Sequence, residues 1–348
     1  MDISFNLADS FYTYTSLPSH IAHLKLNNAQ KRYYSSGYEL SKYTPQLSDP
    51  WFVTGFTDAE GCFTFTLSRT PKNKIGWDLG LYFMINLHER DENLLNQVKK
   101  YFGDVGTIGK SRGCCILKVR SLNSIVTKII PHFDKYPLAT DKLADYLLWK
   151  EVVMMMQRGE HLTLEGLQSI AKIRASLNKG LSPALQESFP NSTPVSRYIS
   201  KEKSFIYANL HPQWVAGFIS GEGSFSVDLR KSKAYKAGGR VTLAFRFNQH
   251  VRDKDLIQSL VDYFGCGSYY SYKNYAEYKC QSFEHIYDII IPFFQKYPII
   301  GVKSLDFTDW SMVAKLIKNQ AHLTEEGLDQ IKEIKDRMNR SRKEFDME

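Results

Sequence analysis

Cysteine is scarce in this 348-residue chain, and what there is lacks the spacing of a framework. The five are Cys62, Cys114, Cys115, Cys266 and Cys280, an odd count with no CxxC pair. That pattern argues against a disulfide scaffold. It gives no reason to expect a zinc site, and the thiols read as small core or surface groups in a reducing compartment. Long apolar runs are missing as well. None reaches the roughly 20 residues of a membrane-spanning helix, so no membrane partner is expected. Acidic residues are in deficit: 37 Asp and Glu stand against 45 Lys and Arg, a formal net charge of +8. A basic excess suits a polyanion such as nucleic acid, although charge alone does not identify one. Aromatic residues, at 14%, are plentiful enough to argue against global disorder. The length accommodates one large domain or two of ordinary size.

Residues 1–48 differ in composition from the rest of the chain. They are rich in Tyr, Ser, Asn and Lys, with Arg32 the only arginine and Asp2, Asp9 and Glu39 scattered among the cations. This is a poor organelle transit peptide. The segment reads as a flexible leader, the remnant of an upstream reading frame.

Beyond residue 48 the chain repeats itself. FVTGFTDAEG, ending at Gly61, is echoed by WVAGFISGEG, ending at Gly223, and the two glutamates are 222 − 60 = 162 positions apart. Tyr101-Phe102-Gly103 returns as Tyr263-Phe264-Gly265, and Lys135-Tyr136-Pro137 as Lys296-Tyr297-Pro298. His161-Leu162-Thr163 returns as His322-Leu323-Thr324. Lys142, Asp145 and Trp149 match Lys303, Asp306 and Trp310 in the same order. Collinear echoes of this kind mark a tandem duplication. The expected organisation is a leader (1–48), an N-terminal repeat (49–179), a linker (180–211) and a C-terminal repeat (212–348). The linker holds Pro183, Pro190 and Pro194 among Asn, Ser and Lys, a composition able to cross between halves without packing.

Each copy reads alike. Asp49-Pro50 looks like an N-cap followed by Pro at N1, opening a helix over 50–60, and His211-Pro212 opens its counterpart. Gly61 and Gly223 supply the stop. Strict alternation comes next: Phe63, Phe65 and Leu67 on one face, then Leu79, Leu81, Phe83, Ile85 and Leu87 in a second strand. Phe225, Val227 and Leu229, then Val241, Leu243, Phe245 and Phe247, repeat it. A helix (91–102 or 253–264), two more strands, a helix ending near Pro131 or Pro292, and trailing helices complete each unit. The fold class is α+β, with two tandem pseudo-symmetric α-β-β-α-β-β-α repeats.

Two carboxylates stand where stability disfavours them. Gly55 and Ala59 in the first motif helix, and Gly217 and Gly221 in the second, let two helices approach backbone to backbone at a cost in helix propensity. Such a pair about a pseudo-twofold axis would place Glu60 and Glu222 side by side at helix C-termini. There the helix dipole is negative and the two charges repel. A divalent cation would reverse that balance. Mg2+ takes hard oxygen ligands, and the carbonyls of Ala59 and Gly221 could add to the two side chains. Such an ion could activate water and stabilise the leaving oxygen of a phosphodiester. The bland alternative is a pair of exposed helix-end glutamates kept from the duplication; two Gly-rich, Glu-terminated helices feeding polar-faced strands favour the site.

FVTGFTDAEG and WVAGFISGEG resemble the paired motifs of LAGLIDADG homing endonucleases. Gln249-His250, Arg252-Asp253-Lys254, Gly265-Cys266-Gly267, Ile291-Pro292-Phe293-Phe294-Gln295 and His322-Leu323-Thr324-Glu325-Glu326-Gly327-Leu328 resemble the single-chain, intron-encoded OnuI subgroup of fungal mitochondria. The likeness covers about residues 49–340. It implies paired antiparallel sheets forming a DNA-binding saddle, with the motif helices at their interface. It also implies a monomeric, organelle-encoded enzyme that cuts double-stranded DNA, leaves short 3′ overhangs and promotes intron mobility. Glu60 and Glu222, helped by the carbonyls of Ala59 and Gly221, fall where the family holds Mg2+, with Mn2+ or Ca2+ able to substitute in binding. Lys118 falls where a strand lysine assists near the scissile phosphates. The second half departs from the pattern: Tyr270 stands where relatives carry a lysine after Gly-Cys-Gly, with Lys273 out of register, and Met84 replaces a central glutamine. These departures leave slower cleavage, an altered central-base preference or lost cleavage open. The alternatives are an RNA maturase, with intron RNA as partner, and a DNA-binding protein that no longer cuts.

The outward strand faces are the expected reading surface. In the first half they offer Thr64, Thr66, Ser68, Tyr82, Asn86 and His88. In the second they offer Ser224, Ser226, Asp228, Arg230, Arg240, Thr242, Arg246, Asn248 and His250. Such donors and acceptors suit base edges in the major groove. Lys72, Lys74, Lys231, Lys233 and Lys236 are expected at phosphates. Because the cores agree while the outward residues differ, the expected target is asymmetric. Tyr269, Tyr270, Tyr272, Tyr275 and Tyr278 cluster at one hairpin, as an aromatic contact surface or as sheet packing.

Overall fold

The computed structural model describes residues 46–197, 203–231 and 239–339. The expected leader lies almost wholly outside these residues, as do Lys233 and Lys236. The first half runs α1 (Pro50–Glu60), β1 (Gly61–Arg69), β2 (Trp77–His88), α2 (Glu92–Tyr101), β3 (Thr107–Ser111) and β4 (Cys114–Val119). It continues through α3 (Leu122–Ser124) and α4 (Ile130–Lys135) to α5 (Lys142–Gln157) and α6 (Leu164–Ser176). After α7 (Pro183–Ser188) and α8 (Lys203–Ala208), the order returns as α9 (Pro212–Glu222), β5 (Ser224–Lys231), β6 (Gly239–His250) and α10 (Lys254–Phe264). The second half ends with β7 (Ser268–Ser271), β8 (Tyr275–Cys280), α11 (Phe283–His285), α12 (Ile291–Lys296), α13 (Lys303–Lys318) and α14 (Glu325–Asp336).

Each half builds one antiparallel four-stranded sheet, ordered β1-β2-β4-β3 and β5-β6-β8-β7. Alternation dictates which face is buried. Phe63, Phe65, Leu81, Phe83 and Ile85 close one core, while Phe225, Phe245 and Phe247 close the other. The matched tryptophans seal the two cores in the same way: Trp149 donates to the Thr64 carbonyl at 3.0 Å and Trp310 to the Ser226 carbonyl at 3.2 Å.

The motif helices start as their caps dictate. The Asp49 carboxylate accepts from the Trp51 amide at 2.8 Å, and the His211 ring from the Gln213 amide at 3.3 Å. Between the helices there is no room for side chains at two positions. A Cβ on Gly55 would overlap the Trp214 carbonyl, and one on Gly217 would overlap the Phe52 carbonyl. The glycines are therefore the contact itself, and backbone packs on backbone about the pseudo-twofold.

Two expectations need correction. The helix expected to end near Pro131 or Pro292 instead passes through a π-helical stretch, Ile125–Ile129 or Ile286–Ile290, and continues to Lys135 or Lys296. The wider turn accommodates a proline that cannot donate to the regular ladder. The described parts of the segment 180–211, residues 180–197 and 203–211, do pack. Phe189 lies 4.8 Å from the Trp77 ring, and Leu185 and Val195 rest on the first core. Arg197 bridges Asp141 and Asp145 at 2.8 and 2.6 Å. Its prolines and polar residues conceal a few anchors that the composition averages away.

Candidate metal centre and nucleic-acid face

The two glutamates end α1 and α9 and meet over Gly221. A Cβ on Gly221 would overlap the Ala59 Cβ and lie 3.1 Å from the Glu60 Cγ and 3.2 Å from its carboxylate oxygen Oε1, so Ala59 and Glu60 together fill the space that this glycine leaves. Burial is the largest cause raising both carboxyls above the ordinary range. Glu222 is pushed up to about 7 by burial and then by the charge of Glu60, against the opposing pull of Lys303, Lys142 and a hydrogen bond from Gln249. Glu60 is raised in the same direction, chiefly by burial. Two desolvated, mutually repelling carboxylates are an oxygen donor set that a hard divalent cation fits and would restore to the ionised form.

The carbonyls expected to complete that set already have partners. The Lys142 ammonium, at the first turn of α5, donates to the carbonyls of Thr57 at 2.9 Å and Ala59 at 3.3 Å. Lys303, at the first turn of α13, donates to Ile219 at 3.5 Å and to Gly221. Each lysine thus caps the C-terminus of its motif helix, where a cation opposes the dipole. Burial lowers both lysines, Lys303 to about 8, while the glutamates opposite pull them back up. A carbonyl oxygen has a second lone pair, so Ala59 and Gly221 keep the capacity to face an ion while bonded to lysine.

The lysine helices are held reciprocally across the halves. Asp91, preceding α2, accepts from the Val302 amide at 2.7 Å, and its counterpart Asp253 accepts from the Asp141 amide at 2.6 Å. Asp58 ties the halves again. Its fully buried carboxylate accepts from Ala139 and Thr140 in its own half and from the Trp214 indole at 2.8 Å in the other. None of Lys142, Lys303, Asp91, Asp253 or Asp58 was singled out as a site residue from sequence. The signals available in the sequence were the recurrence of Lys142 as Lys303 and of Asp91 as Asp253, and the place of Asp58 inside the first motif.

The symmetry is broken beside Glu222. Gln249 donates to its Oε1 at 2.7 Å, whereas the matching β2 position is Leu87. The register also revises the reading of the second strand lysine. Lys118 on β4 pairs with Met84 and Thr107, and at the matching ladder position on β8 Lys279 pairs with Arg246 and Ser268. Lys279, not Tyr270 or Lys273, is the counterpart of Lys118. The repeat offset gives the same match, since 279 − 118 = 161 equals 303 − 142 = 161; looking only a few residues past Gly-Cys-Gly stopped short of it. Tyr270 faces Glu277 instead.

The expected reading residues lie on the unburied sheet faces. Thr66, Ser68, Asn86, His88, Ser224, Arg230, Arg240, Asn248 and His250 are exposed or partly so. Thr64, Tyr82, Ser226, Asp228, Thr242 and Arg246 are half-buried. Lys72, Lys74 and Lys231 are exposed as well. Asn86 from one sheet and Ser224 and Ser226 from the other line a single cleft of about 690 Å³ together with Glu60 and Lys303. In the second sheet Arg230 stands opposite Arg240, and Arg246 opposite Lys279. Facing like charges destabilise a free sheet and are relieved by an anion laid across it. Asp228 offsets part of this through its 2.7 Å pair with Arg230. The tyrosine cluster divides: Tyr278 is core, stacked on Phe247 at 4.6 Å, while Tyr272 and Tyr275 stack on each other at 4.4 Å in the open.

Comparison with known proteins places this geometry. A family model described as LAGLIDADG endonuclease matches residues 53–153 and 215–314. "Probable intron-encoded endonuclease 2" of Neurospora crassa is 42% identical over 299 residues, covering 82% of this chain. The chain spans 64% of that relative's length and 55% of a second one, "Probable intron-encoded endonuclease 3" of the same fungus. I-SmaMI, solved bound to an uncleaved DNA target with calcium ions, is 41% identical with a TM-score of 0.81, over 84% of this chain and 99% of that one. I-GzeII, solved in complex with its DNA target, is 45% identical with a TM-score of 0.77, over 85% of this chain and 99% of that one. With both motif helices, both sheets and nearly all of the described residues accounted for, the chain belongs to the LAGLIDADG endonuclease family.

Proposed function

We propose that this protein is a site-specific endonuclease that hydrolyses both strands of a long, asymmetric double-stranded DNA target and so promotes mobility of an intron. The observation that carries this reading is the apposition of Glu60 and Glu222 at the ends of two helices in backbone contact. Both carboxylates are pushed toward protonation by burial and repulsion. A divalent cation such as Mg2+, if held there, would supply Lewis acidity and offset charge on the scissile phosphodiester. Glu60 and Glu222 would hold that ion, and the carbonyls of Ala59 and Gly221 could add to them. Lys142 and Lys303 cap the two helix ends that carry the carboxylates. Lys118 and Lys279 stand one per sheet at matched ladder positions and serve the two scissile phosphates. The polar outward residues of the two sheets differ, which makes the two half-sites differ.

The relatives are intron-encoded by name, and an organelle gene, in a fungal mitochondrion, fits that context. Both halves of the site lie in one chain, so the active species is a monomer. The test is a cleavage selection on a randomised duplex library with Mg2+ and with EDTA. The expected result is cutting at one long asymmetric site in Mg2+ alone. Tight binding without cutting would refute the catalytic reading, and selective binding of intron RNA with no duplex recognition would move the protein to a splicing role.

A further inference from the structure

The fold gathers two of the five cysteines with a histidine, far from Glu60 and Glu222 in sequence and in a setting that chain spacing conceals. Cys266 follows the left-handed Gly265 that ends α10, Cys280 closes β8, and His285 ends α11. Their ligand atoms lie within 4.8 Å of one another. Both sulfurs are buried, Cys266 at 4% exposure and Cys280 at 0%, while His285 is exposed. We infer that Cys266, Cys280 and His285 form a binding site for a thiophilic divalent cation of the Zn2+ class, with a fourth position open to solvent.

Ligand type and space both support this site. Two thiolates and an imidazole are the donors that Zn2+ prefers, and a tetrahedral site with Zn–S about 2.3 Å and Zn–N about 2.0 Å needs its donors about 3.5–3.8 Å apart. The present arrangement needs only a small closure, which the exposed His285 side chain can supply. A surface cleft of about 720 Å³, lined by all three residues together with Asp262 and Tyr270, provides entry and room for a water. The Tyr278 hydroxyl lies 3.7 Å from the Cys266 sulfur and donates to the Cys266 carbonyl at 3.1 Å, which fixes the ligand-bearing turn. Gly267 is required beneath it, because a Cβ there would lie 2.5 Å from the Tyr278 ring.

The other half of the molecule shows that the fold does not demand these residues. The ladders place Phe83 opposite Val119 and Phe245 opposite Cys280. The serine caps Ser121 and Ser282 align Ser124 with His285. Strand register aligns Val105 with Cys266 and Leu117 with Tyr278. One half thus packs Val105, Val119 and Ser124 where its duplicate carries two thiols and an imidazole. Cysteines kept only as small apolar core groups would not account for His285 beside them. Because Cys280 directly follows Lys279, an ion here would also fix the strand end that carries that lysine.

The test uses the full chain carrying Glu60→Gln and Glu222→Gln, so that the carboxylate centre does not compete, reduced and titrated with Co2+ and then with Zn2+. Expected are thiolate-to-cobalt charge-transfer absorption of two-thiolate intensity, tetrahedral visible bands, and displacement by an equivalent of Zn2+. Cys266→Ser should halve the charge-transfer intensity. His285→Ala, an exposed change that leaves the core intact, should weaken Zn2+ binding at least tenfold. Absence of charge transfer, binding indifferent to both variants, or a Cys266–Cys280 disulfide that persists when reductant is withdrawn in the presence of Zn2+ would each overturn the site.

Discussion

Replacing Gly217 by alanine sets two effects of opposite sign against each other. Alanine is the better helix former by about 1 kcal/mol, so propensity alone predicts that Gly217→Ala stabilises α9. The structure predicts the reverse. The new methyl would overlap the Phe52 carbonyl and lie 2.8 Å from the Phe56 amide nitrogen. Both obstacles are backbone, and neither can rotate away. The helices must separate by roughly 1 Å to restore ordinary contact, and overpacking of this kind costs about 1–3 kcal/mol or more. Contact this close to backbone puts the cost at the upper end, about 3 kcal/mol, which less the gain of about 1 kcal/mol leaves a net loss of about 2 kcal/mol, with the same result for Gly55→Ala, whose methyl would overlap the Trp214 carbonyl. Because Glu60 and Glu222 ride on these helices, displacement of that size should slow cleavage by about 10²-fold. Gly109→Ala is the control, with nothing within 4 Å of the added carbon. Denaturant unfolding of the three variants and single-turnover cleavage on the selected duplex make the comparison. A gain in stability for Gly55→Ala and Gly217→Ala would refute backbone contact at the pseudo-twofold.

Glu60→Gln and Glu222→Gln should each abolish cleavage while binding of the duplex, followed by fluorescence anisotropy, stays within a few-fold; loss of folding in both would undo the assignment. Glu222 is raised to about 7 from an unperturbed 4.5. Native protein therefore holds the proton more tightly than unfolded chain, and metal-free stability should fall as pH rises from about 4.5 through 7, then level off. Glu222→Gln should flatten that slope in thermal melts, and an unchanged slope would remove Glu222 as its source. Lys303→Met strips the cap from α9 and the counter-charge from both glutamates; about 3 kcal/mol of metal-free stability should be lost, part of it restored by Mg2+, and a variant as stable as the parent would show the ammonium to be dispensable. Lys118→Met and Lys279→Met should each slow cutting of one strand more than the other, which nicked-plasmid intermediates would reveal; equal slowing of both strands would contradict one lysine per phosphate.

Local pattern made the repeat, the motif helices and the sheet faces legible. Phe63, Phe65 and Leu67 announce a buried face because alternation is a property of neighbours in the chain, and Gly55 with Gly217 announces a close helix pair because both copies carry it. Glu60 and Glu222 could be paired because the duplication supplied the axis. Whatever depends on a partner distant in sequence stayed hidden. Asp91 gains its meaning only when the Val302 amide arrives from the other half. Lys279 matches Lys118 at the repeat offset, 279 − 118 = 161, and the ladder adds which strand positions the two lysines stand opposite. Cys266, Cys280 and His285 lack motif spacing because a hairpin, not a helix turn or a knuckle, gathers them.

The reciprocal clamps explain why one chain tolerates such uneven halves. Asp91 and Asp253 cross the axis in opposite directions, each holding the start of the other half's lysine helix, and those lysines cap the helices that end in Glu60 and Glu222. The parts that set the carboxylates are therefore duplicated and symmetric. Their surroundings are not: Gln249 bonds Glu222 where Leu87 stands on the other side, and Asp58 binds the Trp214 indole where its counterpart Ser220 accepts from Ile300 at 3.2 Å and donates within α9. In a homodimer every such change would appear twice. In a fused chain each half can alter its outward residues and the environment of its own glutamate without disturbing the shared frame. The two carboxylates are therefore chemically inequivalent before DNA binds, with the Gln249 hydrogen bond favouring the ionised form of Glu222 alone. If the proposed cleavage holds, this inequivalence predicts that the two strands are cut at different rates, which time-resolved nicking of a plasmid target would show; equal rates on both strands would contradict it.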